Sequence, residues 1–219
     1  MKITYSTEGE IRLQTDNLKI NNGKGLNKVP FLIIIIIMTG LNSEIKKNIR
    51  ILHKKIRESL DIENLSRIII RKLTDLPEFK NAESVFSYVS FGSEINTSEI
   101  LKRTDKKIFV PKITNDEMCM TLYTPDSLIR GKFGICEPCE CIPCFPQKND
   151  VVICPALGCD YNFYRLGYGK GYYDRFLSEC ECIKILPIPS CLICDDVGHD
   201  SFDVPMDIVL TEKAVFRRK

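Results

Sequence analysis

The chain has 219 residues, 44% of them hydrophobic and 27% charged, which suits one compact domain of ordinary globular size and excludes a disordered tail or a collagenous repeat. With 31 Lys and Arg against 29 Asp and Glu the formal net charge is +2, so no long-range field singles out nucleic acid or an anionic membrane as a partner. Eleven cysteines make an odd count in a chain too long to need disulfide staples, and the expected setting is reducing and cytoplasmic.

Residues 1–30 mix Thr, Ser, Asn, Gly and Lys with weak periodicity and lead into FLIIIIIM at 31–38. That apolar run is far short of the ~20 residues that span a bilayer. It reads either as an aggregation-prone edge strand or as the end of an extension, residues 1–37, outside the domain. Met38 then opens MTGLNSEIKKNIR, in which Asn42 or Ser43 is placed to cap a helix. The domain is therefore expected over 38–219.

In 44–60 the apolar residues Ile45, Ile49, Leu52, Ile56 and Leu60 recur at spacings of four, three, four and four, one stripe of an amphipathic helix. Lys46, Arg50, Lys54 and Arg57 share another face, which reads on residue chemistry alone as solvated. A second helix is expected over 62–73, a strand over 84–90 ending at the turn Phe91-Gly92-Ser93, and a short helix over 97–103. Strands are expected at 107–113 and 118–123, then a Pro- and Cys-rich loop over 124–149. DVVICPAL at 150–157 is a continuous apolar run of the kind buried on both faces. A glycine loop then runs into a helix, and two short strands follow at 184–188 and 208–211. Strands alternating with helices predict an α/β fold built on a mostly parallel sheet with helices on both faces.

The densest chemical signal is RLGYGKGYYD, residues 165–174. Its alternate glycines let the backbone approach a ligand and aim N–H groups at an anion, with a helix N-terminus following. Arg165 and Lys170 would add a guanidinium and an ammonium to the same oxygens. The loop is neither a Walker A sequence nor a dinucleotide fingerprint, and on chemistry alone phosphate binding and a plain glycine turn both remain open.

DVVICPALGCD followed by RLGYGKGYYDRFL resembles the signature of the 5-formyltetrahydrofolate cyclo-ligase family, also called methenyltetrahydrofolate synthetases. Other blocks of that family follow in the same order: KKNIR, SYVSFGSEINTSEIL, VPKI, GKFGICEP and DVPMDIVLTE, together covering 38–212. The resemblance implies a single-domain, three-layer α/β fold of CoA-transferase-like architecture. It also implies an ATP- and magnesium-dependent ring closure of 5-formyltetrahydrofolate, free or polyglutamylated, to 5,10-methenyltetrahydrofolate, through a phosphorylated imidate, with release of ADP and phosphate. A monomer acting on a small molecule, with no nucleic acid and no membrane partner, is expected.

Roles follow from matched positions. Lys46 and Arg50, one turn apart, match nucleotide contacts, as does the whole loop from Arg165 through Leu166, Gly167, Tyr168, Gly169, Lys170, Gly171 and Tyr172 to Tyr173. Within it Lys170, Arg165 and Tyr172 are the expected catalytic groups, and 168–173 also lines the folate pocket. Glu94 matches the pterin-binding acid, a carboxylate able to accept two N–H bonds. Val89 and Phe133 match apolar pocket positions, with Phe91 a further candidate. Asp174 and Asp203 match the magnesium acids, and a hard cation bridging phosphates needs only one or two carboxylates.

Three departures stand out: Phe163 where the family has glycine, Cys136 in place of proline, and Phe202 where His or Asn usually precedes the acid. Cys136, Cys139, Cys141 and Cys144 form C-x-x-C-x-C-x-x-C. Four such residues within nine positions are more simply read as free surface cysteines than as a zinc or iron–sulfur site. The alternative function is a catalytically weak relative that binds nucleotide, or metal through that loop.

Overall fold

The computed structural model describes residues 2–5, 11–14, 31–131 and 136–219. The chain divides into two compact units, Met1–Ile37 and Met38–Lys219. The first contains an antiparallel hairpin of β1 (Lys2–Tyr5) and β2 (Ile11–Gln14), with Lys2 opposite Gln14 and Tyr5 opposite Ile11.

Helix α1 runs over Phe31–Glu58, which corrects two expectations. The isoleucine run is helical, and Asn42 and Ser43 lie inside the helix instead of capping it. Extending a formed helix adds a hydrogen bond per residue without a new nucleus, and isoleucine costs only a fraction of ~0.7 kcal/mol per position relative to alanine. The side-chain amide of Asn42 is used in tertiary contact: its Nδ2 donates to the His199 carbonyl at 3.1 Å and to Asp200 Oδ1 at 3.4 Å.

Helix α2 (Ile62–Asp75) starts at Asp61, whose carboxylate accepts from the Asn64 amide at 3.1 Å, and it buries Ser66, Ile69, Ile70 and Leu73 at helical spacing. Helix α3 (Pro77–Asn81) has proline in its first turn, where the missing N–H costs nothing. Then come β3 (Ser84–Phe86), α4 (Ser98–Leu101), and the hairpin of β4 (Lys107–Thr114) and β5 (Glu117–Leu122). Asn115 and Asp116 turn that hairpin with φ of 52° and 60°, the left-handed pair such a turn requires.

The expected 124–149 loop contains a small hairpin, β6 (Leu128–Arg130) with β7 (Cys136–Pro138). Its cysteines are not all free: Cys141 is disulfide-bonded to Cys119 of β5, while Cys136, Cys139 and Cys144 are free. The remaining elements are β8 (Val151–Ile153), β9 (Gly158–Asp160), β10 (Arg165–Leu166), α5 (Tyr172–Ser178), β11 (Ile183–Pro187), β12 (Ile193–Cys194), β13 (Ile208–Leu210) and β14 (Val215–Arg217).

The main sheet has the order β14-β13-β11-β8-β3-β4-β5. Its five inner strands are parallel, and β14 and β5 close the edges antiparallel. Period-two alternation sends neighbouring residues to opposite faces. Val85, Ile108, Val110, Val151, Ile153, Ile185, Ile208 and Leu210 meet Ile69, Ile70 and Leu73 of α2, Phe79 of α3 and Ile100 of α4. Phe86, Phe109, Val152, Leu186 and Val209 meet Phe176 and Leu177 of α5, with Ile56 of α1 packed against them. The result is the expected α/β sandwich of three layers. Asp150 fixes the register at one strand start, accepting from the Ser84 amide at 3.2 Å and the Gln147 amide at 2.8 Å.

Strand order reverses between β3 and β8: later strands are added on one side of β8, while β4 and β5 lie on the other side of β3. In parallel sheets the crevice beyond the carboxyl ends at such a reversal is where ligands bind. A second sheet, β10-β9-β12, lies beside it in sequence and carries Arg165 opposite Cys159 and Cys194 opposite Asp160. Among the described residues no helix is long and apolar enough to cross a membrane.

Candidate active site

A narrow crevice, with room for about one water molecule, lies at that reversal. Its lining includes Tyr88 and Glu94 from the segment after β3, Pro155 and Ala156 after β8, Pro187 at the end of β11, and Arg57 of α1. The inner face of α1 is polar, against expectation. Leu52, assigned to the apolar stripe, is 55% exposed, whereas His53 and Arg57 are buried.

Four residues at spacings of four, three and four carry this face. Lys46 Nζ bonds to Asp200 Oδ2 at 2.6 Å and Asp203 Oδ2 at 2.7 Å. Burial alone would lower the Lys46 pKa, but the two carboxylates outweigh it and raise it. Arg50 Nε donates to the Gly167 carbonyl at 2.9 Å. His53 Nδ1 lies 2.9 Å from the Leu157 carbonyl oxygen, and a Cβ on Gly158 would come within 2.6 Å of that nitrogen, so only glycine allows this approach. Arg57 donates from Nε to the Ser93 carbonyl at 2.9 Å, and from Nη1 to the Ala156 carbonyl at 3.3 Å and the Tyr168 hydroxyl at 3.4 Å.

The glycine loop sits over this face. Leu166 is fully buried, and its carbonyl accepts from the Leu157 amide at 2.7 Å, so it anchors the loop instead of presenting a side chain. Gly169 has φ of +102° with the Arg50 guanidinium 3.4 Å from where a Cβ would stand, and Gly171, φ +66°, caps α5 without a side-chain bond. Helix α5 has only seven residues, so its axial dipole is short and the loop's cations carry more of the positive potential than the sequence suggested.

Arg165 is buried, with its Nη2 3.0 Å from Asp174 Oδ1 and its guanidinium carbon 5.4 Å from the centre of the Tyr173 ring. The ion pair is too oblique for a hydrogen bond: Arg165 Nε and Nη2 and the Tyr173 hydroxyl are all buried without a hydrogen-bond partner. Unpartnered guanidinium donors beside a glycine loop fit phosphate oxygens. Lys170 is exposed, and no hydrogen bond or ion pair among the described residues engages its ammonium.

Asp174 Oδ1 also accepts from the Val204 amide at 3.3 Å, which brings Asp174 beside Asp203. Asp203 Oδ2 accepts from Lys46 and from the Asp200 amide at 2.7 Å. Among the described residues nothing bonds to Asp174 Oδ2 or Asp203 Oδ1, so each acid has one oxygen that could ligate a hydrated divalent cation.

Glu94 joins the crevice to the loop. Its Oε2 accepts from the Phe91 amide at 2.9 Å and its Oε1 from the Tyr168 hydroxyl at 2.9 Å. Burial pushes the Glu94 pKa above the usual carboxylate range despite these bonds and the Arg57 charge. Burial and the Glu94 charge likewise push the Tyr168 phenol to about 12.

Not every expected residue converges. Tyr172 turns to the β4–β5 turn, where its hydroxyl donates to Asp116 Oδ1 at 3.2 Å and Arg175 lies over its ring. Val89 packs against the first core cluster, and Phe91 is half exposed. Phe133 lies outside the described residues. Phe163 keeps the left-handed conformation that glycine would adopt, φ 71°, and its ring is partly buried against the second cluster instead of pointing outward. Phe202 is 85% exposed. Asp200, His53 and the structural bonds of Arg57 were not anticipated. The signal for Asp200 was its spacing of three from Asp203 opposite a lysine.

A family model of the 5-formyltetrahydrofolate cyclo-ligase family matches residues 40–212. The mouse 5-formyltetrahydrofolate cyclo-ligase is 27% identical over 194 residues, spanning 79% of this chain and 92% of its own. The Haemophilus influenzae 5-formyltetrahydrofolate cyclo-ligase is 25% identical over 185 residues, 78% of this chain and 99% of its own. The NMR structure of the Aquifex aeolicus 5,10-methenyltetrahydrofolate synthetase superposes with a TM-score of 0.66 at 32% identity, covering 81% of this chain and 92% of that one. On its fold and on the match over 40–212, the chain belongs to the 5-formyltetrahydrofolate cyclo-ligase family.

Proposed function

We propose that this protein closes the ring of 5-formyltetrahydrofolate to give 5,10-methenyltetrahydrofolate, using ATP and magnesium. The observation that carries the reading is the Glu94–Tyr168 bond, which ties an acid in the switch-point crevice to the glycine loop bearing Arg165 and Lys170. A pterin held by Glu94 and a triphosphate held by the loop would then be neighbours.

In this reaction the formyl oxygen attacks the γ-phosphoryl group and ADP leaves. The neighbouring amine nitrogen then closes on the imidate carbon and phosphate departs. Such a step needs alignment and charge neutralisation more than a protein nucleophile. Lys46 and Arg50 support the nucleotide from α1, Arg165 offers its unpartnered N–H groups, and Lys170 meets the transferring phosphoryl group. Asp174 and Asp203 would hold the magnesium ion, whose role when bound is to neutralise phosphate oxygens. Residues 38–219 form the catalytic domain in this reading, 1–37 lie outside it, and the enzyme works as a cytoplasmic monomer on free or polyglutamylated folate.

The deciding experiment incubates purified protein with 5-formyltetrahydrofolate and MgATP and follows the near-ultraviolet absorbance of the methenyl product. Product that appears only with ATP supports the proposal; folded protein that forms none rejects it.

Two variants test the assignments. Glu94→Ala is expected to raise KM for the folate by about 10–100-fold, the worth of a charged hydrogen-bonding pair, with ATP affinity nearly unchanged. Because burial raises the Glu94 pKa, acidification protonates it at a higher pH than an exposed glutamate. The folate KM of the native enzyme should therefore climb as pH falls through that range, and that of Glu94→Gln should stay flat. Parallel pH profiles would remove Glu94 from the folate site. Asp174→Asn is expected to raise the magnesium concentration for half-maximal rate about tenfold, ~1.4 kcal/mol; a superimposable magnesium titration would remove it from the metal site.

A further inference from the structure

We infer that Asp160, Asp196 and His199 form a second metal site, distinct from the Asp174 and Asp203 pair, for one divalent transition-metal ion such as zinc. Each of the three side chains offers a ligand atom, and these atoms all lie within 4.8 Å of one another. Two carboxylate oxygens and an imidazole nitrogen suit zinc and its first-row neighbours, whereas magnesium prefers an all-oxygen shell.

The site is anchored at its buried end. Asp160, at the end of β9, is 2% exposed, and no cation pairs with it among the described residues. Its Oδ1 accepts from the amides of Asn162 at 2.9 Å and Tyr164 at 3.0 Å, and its Oδ2 from the Val197 amide at 3.4 Å. These bonds fix the carboxylate as outer-shell partners fix a metal ligand, yet leave a buried charge without a counter-charge.

His199 supplies an independent sign. Its ring stacks on Tyr164, centroids 3.7 Å apart and planes 3° from parallel, and its Nδ1 is buried with no hydrogen-bond partner. The chain reverses between the two outer ligands at Gly198, φ +71°, whose N–H donates to Asp196 Oδ1 at 2.7 Å. A Cβ there would stand 3.0 Å from the Asn42 carbonyl oxygen of α1, so the reversal depends on glycine. Three protein donors leave coordination positions for water. The bound ion would fix the segment whose next residue, Asp200, pairs with Lys46.

The test uses the full chain, stripped with a chelator and titrated with Co²⁺ and Zn²⁺ in the absence of nucleotide and folate, so its outcome is separate from that of the activity assay. Native protein is expected to take up one equivalent, with a visible Co²⁺ absorption band and a raised melting temperature. His199→Ala and Asp196→Asn should each weaken binding at least about tenfold, while Asp203→Asn retains it. Both positions are at least partly exposed, and matching melting curves without metal establish that the variants fold. No uptake by native protein, or uptake unchanged in His199→Ala because the ion sits on cysteines, overturns the inference.

Discussion

Lys170→Ala is expected to lower ATP-dependent turnover about 10²–10³-fold, ~2.7–4 kcal/mol of transition-state stabilisation, without changing the melting temperature. The side chain is exposed and makes no hydrogen bond or ion pair among the described residues, so folding does not depend on it. Its backbone, by contrast, is held: Gly169 and Gly171 flank it at φ +102° and +66°, and its carbonyl accepts from Arg175 Nη1 at 3.0 Å. A fixed backbone carrying a free ammonium is what a phosphoryl-transfer cation needs, since little reorganisation then accompanies the reaction. The loss should fall on kcat more than on KM for ATP, and Lys170→Arg should recover part of it. Undiminished turnover in Lys170→Ala would take the residue out of the chemistry, and a rise in KM with kcat unchanged would make it a ground-state contact.

That loop was legible because its chemistry is local: glycines, cations and an acid within ten residues. The inner strands were legible for a similar reason, since Val151, Val152 and Ile153 are buried on both faces and leave an uninterrupted apolar run. What escaped depends on distance in sequence. The inward face of α1 is lined by Lys46, Arg50, His53 and Arg57, whose acceptors come from residues 93, 156–157, 167–168 and 200–203. A helical pattern shows that these residues share a face but not that distant carbonyls and carboxylates cover it. Strands β9, β10 and β12, two or three residues each, are too short for a period to show. The Cys119–Cys141 bond spans 22 positions and joins a strand to a loop. At Phe163 a side chain takes a conformation that favours glycine, at a cost of roughly 1–2 kcal/mol, and its ring packs on the second core cluster. That is a trade only the tertiary structure reveals.

Arg57→Ala is expected to be the most damaging of these substitutions, because one buried guanidinium holds three segments together. Its Nε bonds the Ser93 carbonyl beside Glu94, and its Nη1 bonds the Ala156 carbonyl after β8 and the Tyr168 hydroxyl in the glycine loop. Arg57 is itself 3% exposed, and its truncation leaves two partly buried carbonyls and the half-exposed Tyr168 hydroxyl without their donor. Orphaned buried groups cost about 1–3 kcal/mol each, less where water can reach them, so a net loss of roughly 2–4 kcal/mol is expected, read as a lower denaturant midpoint. The functional effect should be separable from it. Arg57→Lys keeps the charge but not the fork of donors, so it should fold with a smaller loss while the Ser93 carbonyl and the Tyr168 hydroxyl lose their common donor. Its folate KM should rise and its kcat fall together, because the crevice and the loop no longer move as one piece. If Arg57→Lys has native kinetics, the guanidinium serves only the fold, and the Glu94–Tyr168 bond alone aligns the two halves of the site.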